Sequence, residues 1–260
     1  MQTAAASTES NDRGVLSKVP EVTLIFWVIK VCCTTLGETS GDAVTMSMNL
    51  GYLFGTAIFF AIFVVAVTFQ IKARRFHPFL YWATIIATTT VGTTMADFAD
   101  RSLGMGYLGG SISLFALLMA SLGLWYWVLG SVDVNTVSSP KAEMFYWGTI
   151  MFSQTLGTAL GDWTADGAGL GYGGGAVLFS LLLAVVAACQ FWTKISKTLL
   201  FWAAFILTRP LGAVVGDFLD KPIAHGGLNL SRYTASATLI ALVILCIFVF
   251  EQRAGGHSES

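Results

Sequence analysis

Asp42, Asp97, Asp162 and Asp217 each stand fifteen residues after a tryptophan: Trp27, Trp82, Trp147 and Trp202. Gly37, Gly92, Gly157 and Gly212 stand ten residues after the same tryptophans, and Phe26, Tyr81, Tyr146 and Phe201 precede them. On a helix, residues four apart share a face. Stepping by four gives the stripes Lys30, Thr34, Glu38, Asp42; Ile85, Thr89, Thr93, Asp97; Ile150, Gln154, Thr158, Asp162; and Phe205, Arg209, Ala213, Asp217. Each stripe carries oxygen or charge inward from its aspartate. Carboxylate and hydroxyl oxygens are hard ligands that suit Mg, Ca or Mn better than Cu or Zn. The four aspartates are therefore candidate metal ligands and the mouth of a cation path, which Glu38, Thr93, Thr158 and Gln154 continue. Lys30 and Arg209 are candidate buried charge partners, Arg209 for Asp217 or Glu38 and Lys30 for Glu38.

A purely structural reading stands beside this one. An aspartate at a helix end can accept bonds from free backbone N–H groups in the following turn, and Lys30 and Arg209 can neutralise acids as buried pairs. Two features favour chemistry: four carboxylates at one depth are costly merely to cap turns, and the stripes run two turns further inward. Further acids, Asp100, Asp166 and Asp220, lie nearby, against the cations Lys30, Arg101, Arg209, Lys221 and Arg232. The excess is negative, which gathers cations at a low-dielectric mouth. His225 lies in an outer insertion and reads as a loop residue, with assistance to a transition metal as the alternative; His77 and His257 carry no site signal. Cys32, Cys33, Cys189 and Cys246 read as small buried hydrophobes.

The elements that hold these stripes must lie in a membrane. Of 260 residues, 55% are hydrophobic and 11% charged, where a soluble domain carries about 25% charged. This composition excludes a disordered chain, a disulfide scaffold and a basic nucleic-acid binder, and the net charge of -1 names no partner. A bilayer core of about 30 Å needs about 20 apolar residues in helix. That ruler predicts eight spans, near 22–41, 53–71, 79–96, 108–130, 144–161, 172–192, 198–216 and 234–250. The runs do not alternate, so helices are expected rather than a β-barrel. Nine cations fall on the side of the termini (Arg13, Lys18, Lys72, Arg74, Arg75, Lys141, Lys194, Lys197, Arg253) and three opposite, Arg101, Lys221 and Arg232. The positive-inside rule then places both termini in the cytoplasm.

The predicted organisation is a polar tail over 1–19, repeats over 20–76, 77–139, 140–196 and 197–250, and a tail over 251–260. Each repeat holds two spans, so all four share one orientation, unlike inverted-repeat transporters. Closure as a pseudo-fourfold ring or as a pair of pairs is open from the sequence. Small residues four apart, such as Gly37 and Gly41 or Gly157 and Gly161, let helices approach closely. The tryptophans read as interfacial anchors, with a plug at the inner end of a central path as the alternative. The fourth copy departs from the others in carrying Pro210 where they have Thr35, Thr90 and Thr155.

The aromatic-Trp pairs, the Leu-Gly steps at Gly37, Gly157 and Gly212, Val91-Gly92, and the four aspartates carry a resemblance. Over about 20–250 the chain resembles bacterial multi-spanning membrane proteins made of four tandem two-span "repeats of unknown function", an uncharacterised membrane-anchored family. The resemblance implies an all-α integral membrane architecture and almost no chemistry. The expected function is that of a plasma-membrane cation transporter in a bacterial inner membrane, a proton-coupled exporter of a hard divalent metal such as manganese. The alternatives are a passive cation or proton channel with a carboxylate ring and a non-transporting structural protein. Leu-Gly-x-x-x-Gly-Asp superficially suggests an aspartyl protease, but a dyad needs one pair of carboxylates, so no enzyme is expected. The expected partners are the lipid bilayer and a small cation, with no nucleic acid and no resident cofactor.

Overall fold

The computed structural model describes residues 17–255. The tail expected over 1–19 lies mostly outside them, as do Arg13 and His257. The regular secondary structure among the described residues is helical, apart from one isolated bridge between Pro20 and Ala254. Eight long helices follow the repeats in pairs: α1 (Leu24–Asp42) and α2 (Tyr52–Lys72), α3 (Pro78–Asp97) and α4 (Gly106–Leu129), α5 (Pro140–Asp162) and α6 (Gly171–Trp192), α7 (Lys197–Asp220) and α8 (Arg232–Val249).

The four odd helices form a closed inner ring in which α1 packs on α3, α3 on α5, α5 on α7 and α7 on α1. The even helices form an outer layer with a shifted partnership. Helix α2 packs on α3, α4 on α5, α6 on α7, and α8 closes back onto α1. Each repeat thus covers the inner helix of the next repeat rather than its own. The glycines explain how the ring closes. An added Cβ at Gly37, Gly92, Gly157 or Gly212 would come within 3.0 Å of Thr89, Gln154, Arg209 or Thr34 respectively. These four neighbours are one register position of the stripes, so the same glycine-to-stripe contact recurs around the ring. Small residues serve here as close-approach surfaces, as expected in lipid.

Five helices, α2, α4, α6, α7 and α8, are long and apolar enough to cross a membrane. The outer helices show an apolar exterior, with Leu53, Phe54, Ile112, Leu181 and Leu245 exposed. Helices α1, α3 and α5 fall short of that measure because they carry threonines, Lys30, Glu38 and aspartates, side chains that are buried.

The tryptophans are corrected by the structure. Trp82, Trp147 and Trp202 are buried and Trp27 is half-buried, so they do not form an interfacial belt. The aromatic of each repeat meets the tryptophan of the next: Phe26 with Trp82 at 5.3 Å between centroids, Tyr81 with Trp147 at 5.6 Å, Tyr146 with Trp202 at 6.4 Å, and Phe201 with Trp27 at 5.7 Å. The physical reason is the ring itself. It turns this register position inward, where aromatic edges pack on neighbouring faces. The Tyr81 and Tyr146 hydroxyls satisfy one another at 2.6 Å across the interior.

Below the aromatic layer the first and last of the described residues meet. Ser17 donates to the Val134 carbonyl, the Gly255 amide donates to the Val19 carbonyl, and Lys18 pairs with buried Glu143 at 2.5 Å. The Lys18 ammonium also donates to the Ile71 carbonyl at 3.1 Å, capping the end of α2 where the helix dipole favours a cation.

Candidate functional site

Asp42, Asp97 and Asp162 are the last residues of their inner helices, Asp217 lies three residues before the end of α7, and local sequence decides the shape of the turn that follows. After Asp42, Asp97 and Asp162 the helix widens into a five-residue π turn, Ala43–Ser47, Phe98–Ser102 and Trp163–Gly167. Seven residues after each aspartate the chain enters the left-handed region, at Asn49, Gly104 and Gly169 (φ 55°, 70° and 71°). Asn and Gly tolerate that region best. Repeat four lacks the π turn. Its insertion carries Lys221 and Pro222 and reaches the same backbone state five residues late, at Asn229 (φ 56°). The insertion therefore replaces a turn by a loop that begins with a cation.

The four aspartates are brought together and buried at the ends of the inner ring, but not as four equals. Asp97 and Asp162 share Arg101, at 3.1 Å from Nε and 3.5 Å from Nη2. Asp217 and Asp42 share Lys221, whose ammonium is 3.0 Å from Asp217 Oδ1 and donates to Asp42 Oδ2. Arg232 is 3.7 Å from Asp42 and pairs with Asp220 at 2.9 Å. The aspartates thus divide into two pairs, each bridged by one base. Sequence reasoning places Arg101 and Lys221 only among the cations of the mouth. The missed signal is their spacing, four residues after Asp97 and Asp217, where an ion pair forms along a helix.

One turn deeper, Glu38, Thr93 and Thr158 share a layer with Ala213, all buried. Ala213 has nothing to offer that layer, and Arg209 of the same helix rises into its place. Its Nη2 donates to Thr93 Oγ1 and Thr158 Oγ1, both at 2.5 Å, and to Glu38 Oε2 at 3.0 Å, while Nη1 donates to the Thr34 carbonyl at 3.4 Å. One guanidinium therefore binds a side chain from each of the other three repeats. Of the two expected partners, Arg209 takes Glu38 rather than Asp217, which belongs to Lys221.

Lys30 does not pair with Glu38. Among the described residues its ammonium finds no hydrogen-bond acceptor, and it lies 4.1 Å from the centroid of the Phe205 ring. The two residues are eight apart on one helix, which separates them by about 12 Å along the axis. Gln154 is buried in the layer between, with neither amide atom bonded. Asp166 and His225 are exposed, and His225 lies in the short turn Ile223–His225.

Chemically, the outer end holds seven buried carboxylates, Glu38, Asp42, Asp97, Asp100, Asp162, Asp217 and Asp220, near four bases, Arg101, Arg209, Lys221 and Arg232. Among the described residues Asp42 Oδ1, Asp220 Oδ1 and both oxygens of Asp100 receive no hydrogen bond. Glu38, Asp42 and Asp217 each offer an oxygen within 4.8 Å of the others. Three converging carboxylate oxygens form a donor set that fits a hard divalent ion. Outside the helical spans, burial raises the carboxyl of Asp100 to about 6, and Arg101 partly opposes the rise.

The family Repeat of Unknown Function (DUF347) matches the chain four times in tandem, over residues 25–76, 80–130, 145–196 and 200–254. These bounds track the four helix pairs. No curated protein and no solved structure matches the chain. The four matches together span most of its length, and the chain belongs to the Repeat of Unknown Function (DUF347) family.

Proposed function

We propose that the protein is a cation carrier of a bacterial plasma membrane, an exporter that exchanges protons for a hard divalent metal such as manganese. The observation that carries the reading is the convergence of Glu38, Asp42 and Asp217, within 4.8 Å, where Asp42 and Asp217 share an ammonium supplied by the chain itself, that of Lys221. Lys221 then acts as a tethered counter-cation. It neutralises the empty site, and an arriving metal displaces it from Asp42 and Asp217. Asp97 and Asp162, held by Arg101, form the second half of the mouth, and Thr93 and Thr158 line the next layer. The bilayer and the small cation are its partners, and the chain is not an enzyme.

All eight long helices span the membrane in this reading. Helices α1, α3 and α5 have 19, 20 and 23 residues, about 28–35 Å of helix, which matches a hydrocarbon core of about 30 Å. Both termini face the cytoplasm, supported by the nine-to-three distribution of cations between the two sides. The aspartates then open outward and the tryptophans face inward.

Two features favour a carrier over a passive channel. Arg209 stands across the axis beneath the aspartates, and a fixed cation on a pore axis repels cations. The aromatic layer also fills the interior at the other end. Passage therefore needs the inner helices to move. The test is flux into proteoliposomes with an imposed proton gradient across a panel of divalent cations. Proton-driven accumulation of one hard cation, reduced at least tenfold by Asp42→Asn, is expected. Equal flux through wild type and Asp42→Asn, or none for any cation, contradicts the proposal.

A further inference from the structure

We infer that the segment Ser17–Pro20 is a releasable strap on the aromatic end of the ring, a gate that lifts before the inner helices part there. Its opening as a unit stands by itself. That the opening admits a cation rests on the carrier reading above.

The segment is short, buried throughout, and tied to the ends of all four repeats. In repeat one, Lys18 Nζ donates to the carbonyls of Gln70 and Ile71 at the end of α2, at 3.3 and 3.1 Å. In the closing loop of repeat two, Ser17 Oγ donates to the Val134 carbonyl at 2.8 Å and the Lys18 amide to the Val137 carbonyl at 3.1 Å. In repeat three, the Lys18 ammonium meets Glu143 at 2.5 Å. Just past repeat four, the Ser17 amide donates to the Gly255 carbonyl at 3.1 Å and the Gly255 amide to the Val19 carbonyl at 2.8 Å. Val19 belongs to the same buried apolar cluster as Phe26, Trp82, Tyr146 and Trp147, so strap and aromatic layer share one packed core.

The decisive contact runs across the ring. The strap leads into α1, and Glu143 stands in the first turn of α5. Helices α1 and α5 each pack on both α3 and α7, so they lie opposite one another. The Lys18–Glu143 pair therefore ties a diagonal, and moving α1 and α5 apart at this end breaks it.

The nature of the contacts favours release. Taking both charges out of water offsets much of their attraction, and among the described residues the buried Glu143 Oε2 finds no donor. Segments that bury few apolar side chains open locally, well below the cost of global unfolding, and Val19 is the one strap side chain in the cluster. Lifting the strap bares Glu143 and the last carbonyls of α2, an oxygen-lined patch on the side where an exporter takes up its cation. Lys18 then plays at this end the part that Lys221 plays at the other, an ammonium of the chain's own seated on oxygens.

The experiment is labelling of the purified full-length Val19→Cys variant with a water-soluble maleimide, read site by site by mass spectrometry. Cys33, fully buried in the same core, reports global unfolding in the same molecule. A strap that opens on its own makes position 19 react about a hundredfold faster than Cys33. Adding Glu143→Gln, which removes the charge and keeps the shape, should speed position 19 about tenfold further and leave Cys33 unchanged. Equal rates at the two positions, or no response to Glu143→Gln, overturn the inference. The gate is tested in proteoliposomes by joining the thiols of a Lys18→Cys, Glu143→Cys variant with a cleavable bifunctional maleimide, with reagent-treated wild type as the reference. Manganese flux should fall about tenfold on cross-linking and return on cleavage. Flux undiminished by the cross-link overturns the gate. Absence of flux in wild type removes the carrier reading alone, and the labelling rates still decide whether the strap opens.

Discussion

The two ends of the inner ring are built from the same four helices in the same register, yet they solve their packing differently. At the aromatic end, each repeat makes the same contact with the next, and the circuit closes from Phe201 to Trp27. At the acidic end the fourfold pattern splits. Asp97 and Asp162 gather on Arg101, and Asp42 and Asp217 on Lys221. Apolar contacts are short-ranged and pairwise, so identical neighbours can repeat indefinitely around a ring. Like charges cannot. Four carboxylates at one depth need counter-ions, and two bases reaching from only two of the repeats lower the symmetry. The aromatic end is therefore the structural end, and the acidic end the one with chemistry to spare.

The largest break in this contrast should come from Arg209, which joins all four repeats. Arg209→Met leaves Glu38 buried and unpaired, and should cost about 3–5 kcal/mol of stability. Adding Glu38→Met should recover most of it, because an apolar pair replaces an ion pair at little cost. Thermal or denaturant unfolding in detergent reads both. At the other end, Trp147→Ala should cost about 3–5 kcal/mol, and Trp27→Ala clearly less, since Trp27 is half-buried. Equal losses would deny the burial pattern of the aromatic layer.

Between the ends, Gly92→Ala pushes a methyl against the backbone of Gln154 and Thr155 and should cost about 1–3 kcal/mol by overpacking. Gly109→Ala, with nothing within 4 Å, should be neutral or slightly stabilising. The effect at Asp100 depends on pH. Its folded carboxyl titrates near 6, above the unfolded value of about 3.9. The folded state therefore holds its proton more tightly, and the contribution to stability falls as pH rises from about 4 to about 6. Asp100→Asn should melt higher than wild type at pH 7 and lose that advantage near pH 4, with melting curves across pH as the readout.

The depth of every key residue is legible in the sequence, because the spacing from Trp to Gly to Asp fixes position along a helix. Azimuth is not. Nothing in one repeat's spacing says that α2 covers α3 rather than α1, since both arrangements bury the same stripe. The same gap misassigns the tryptophans, whose position near a helix end suits a lipid interface and a closed ring equally well. Arg209 at a stripe position is visible, and so is Ala213 as the silent member of the next layer. That one side chain replaces the other needs three dimensions. Charge alone matches Lys30 to Glu38, although eight residues of helix hold them apart.

The central claim is that the acidic end is a cation site occupied by the chain's own ammonium. Manganese binding to the purified protein, read by the loss of the free-ion paramagnetic resonance signal, tests it most directly. Wild type should bind one ion saturably, Asp42→Asn should bind at least tenfold more weakly, and Lys221→Met should bind more tightly because the competing cation is gone. Manganese binding that is absent in all three, or that weakens in Lys221→Met, would contradict the account.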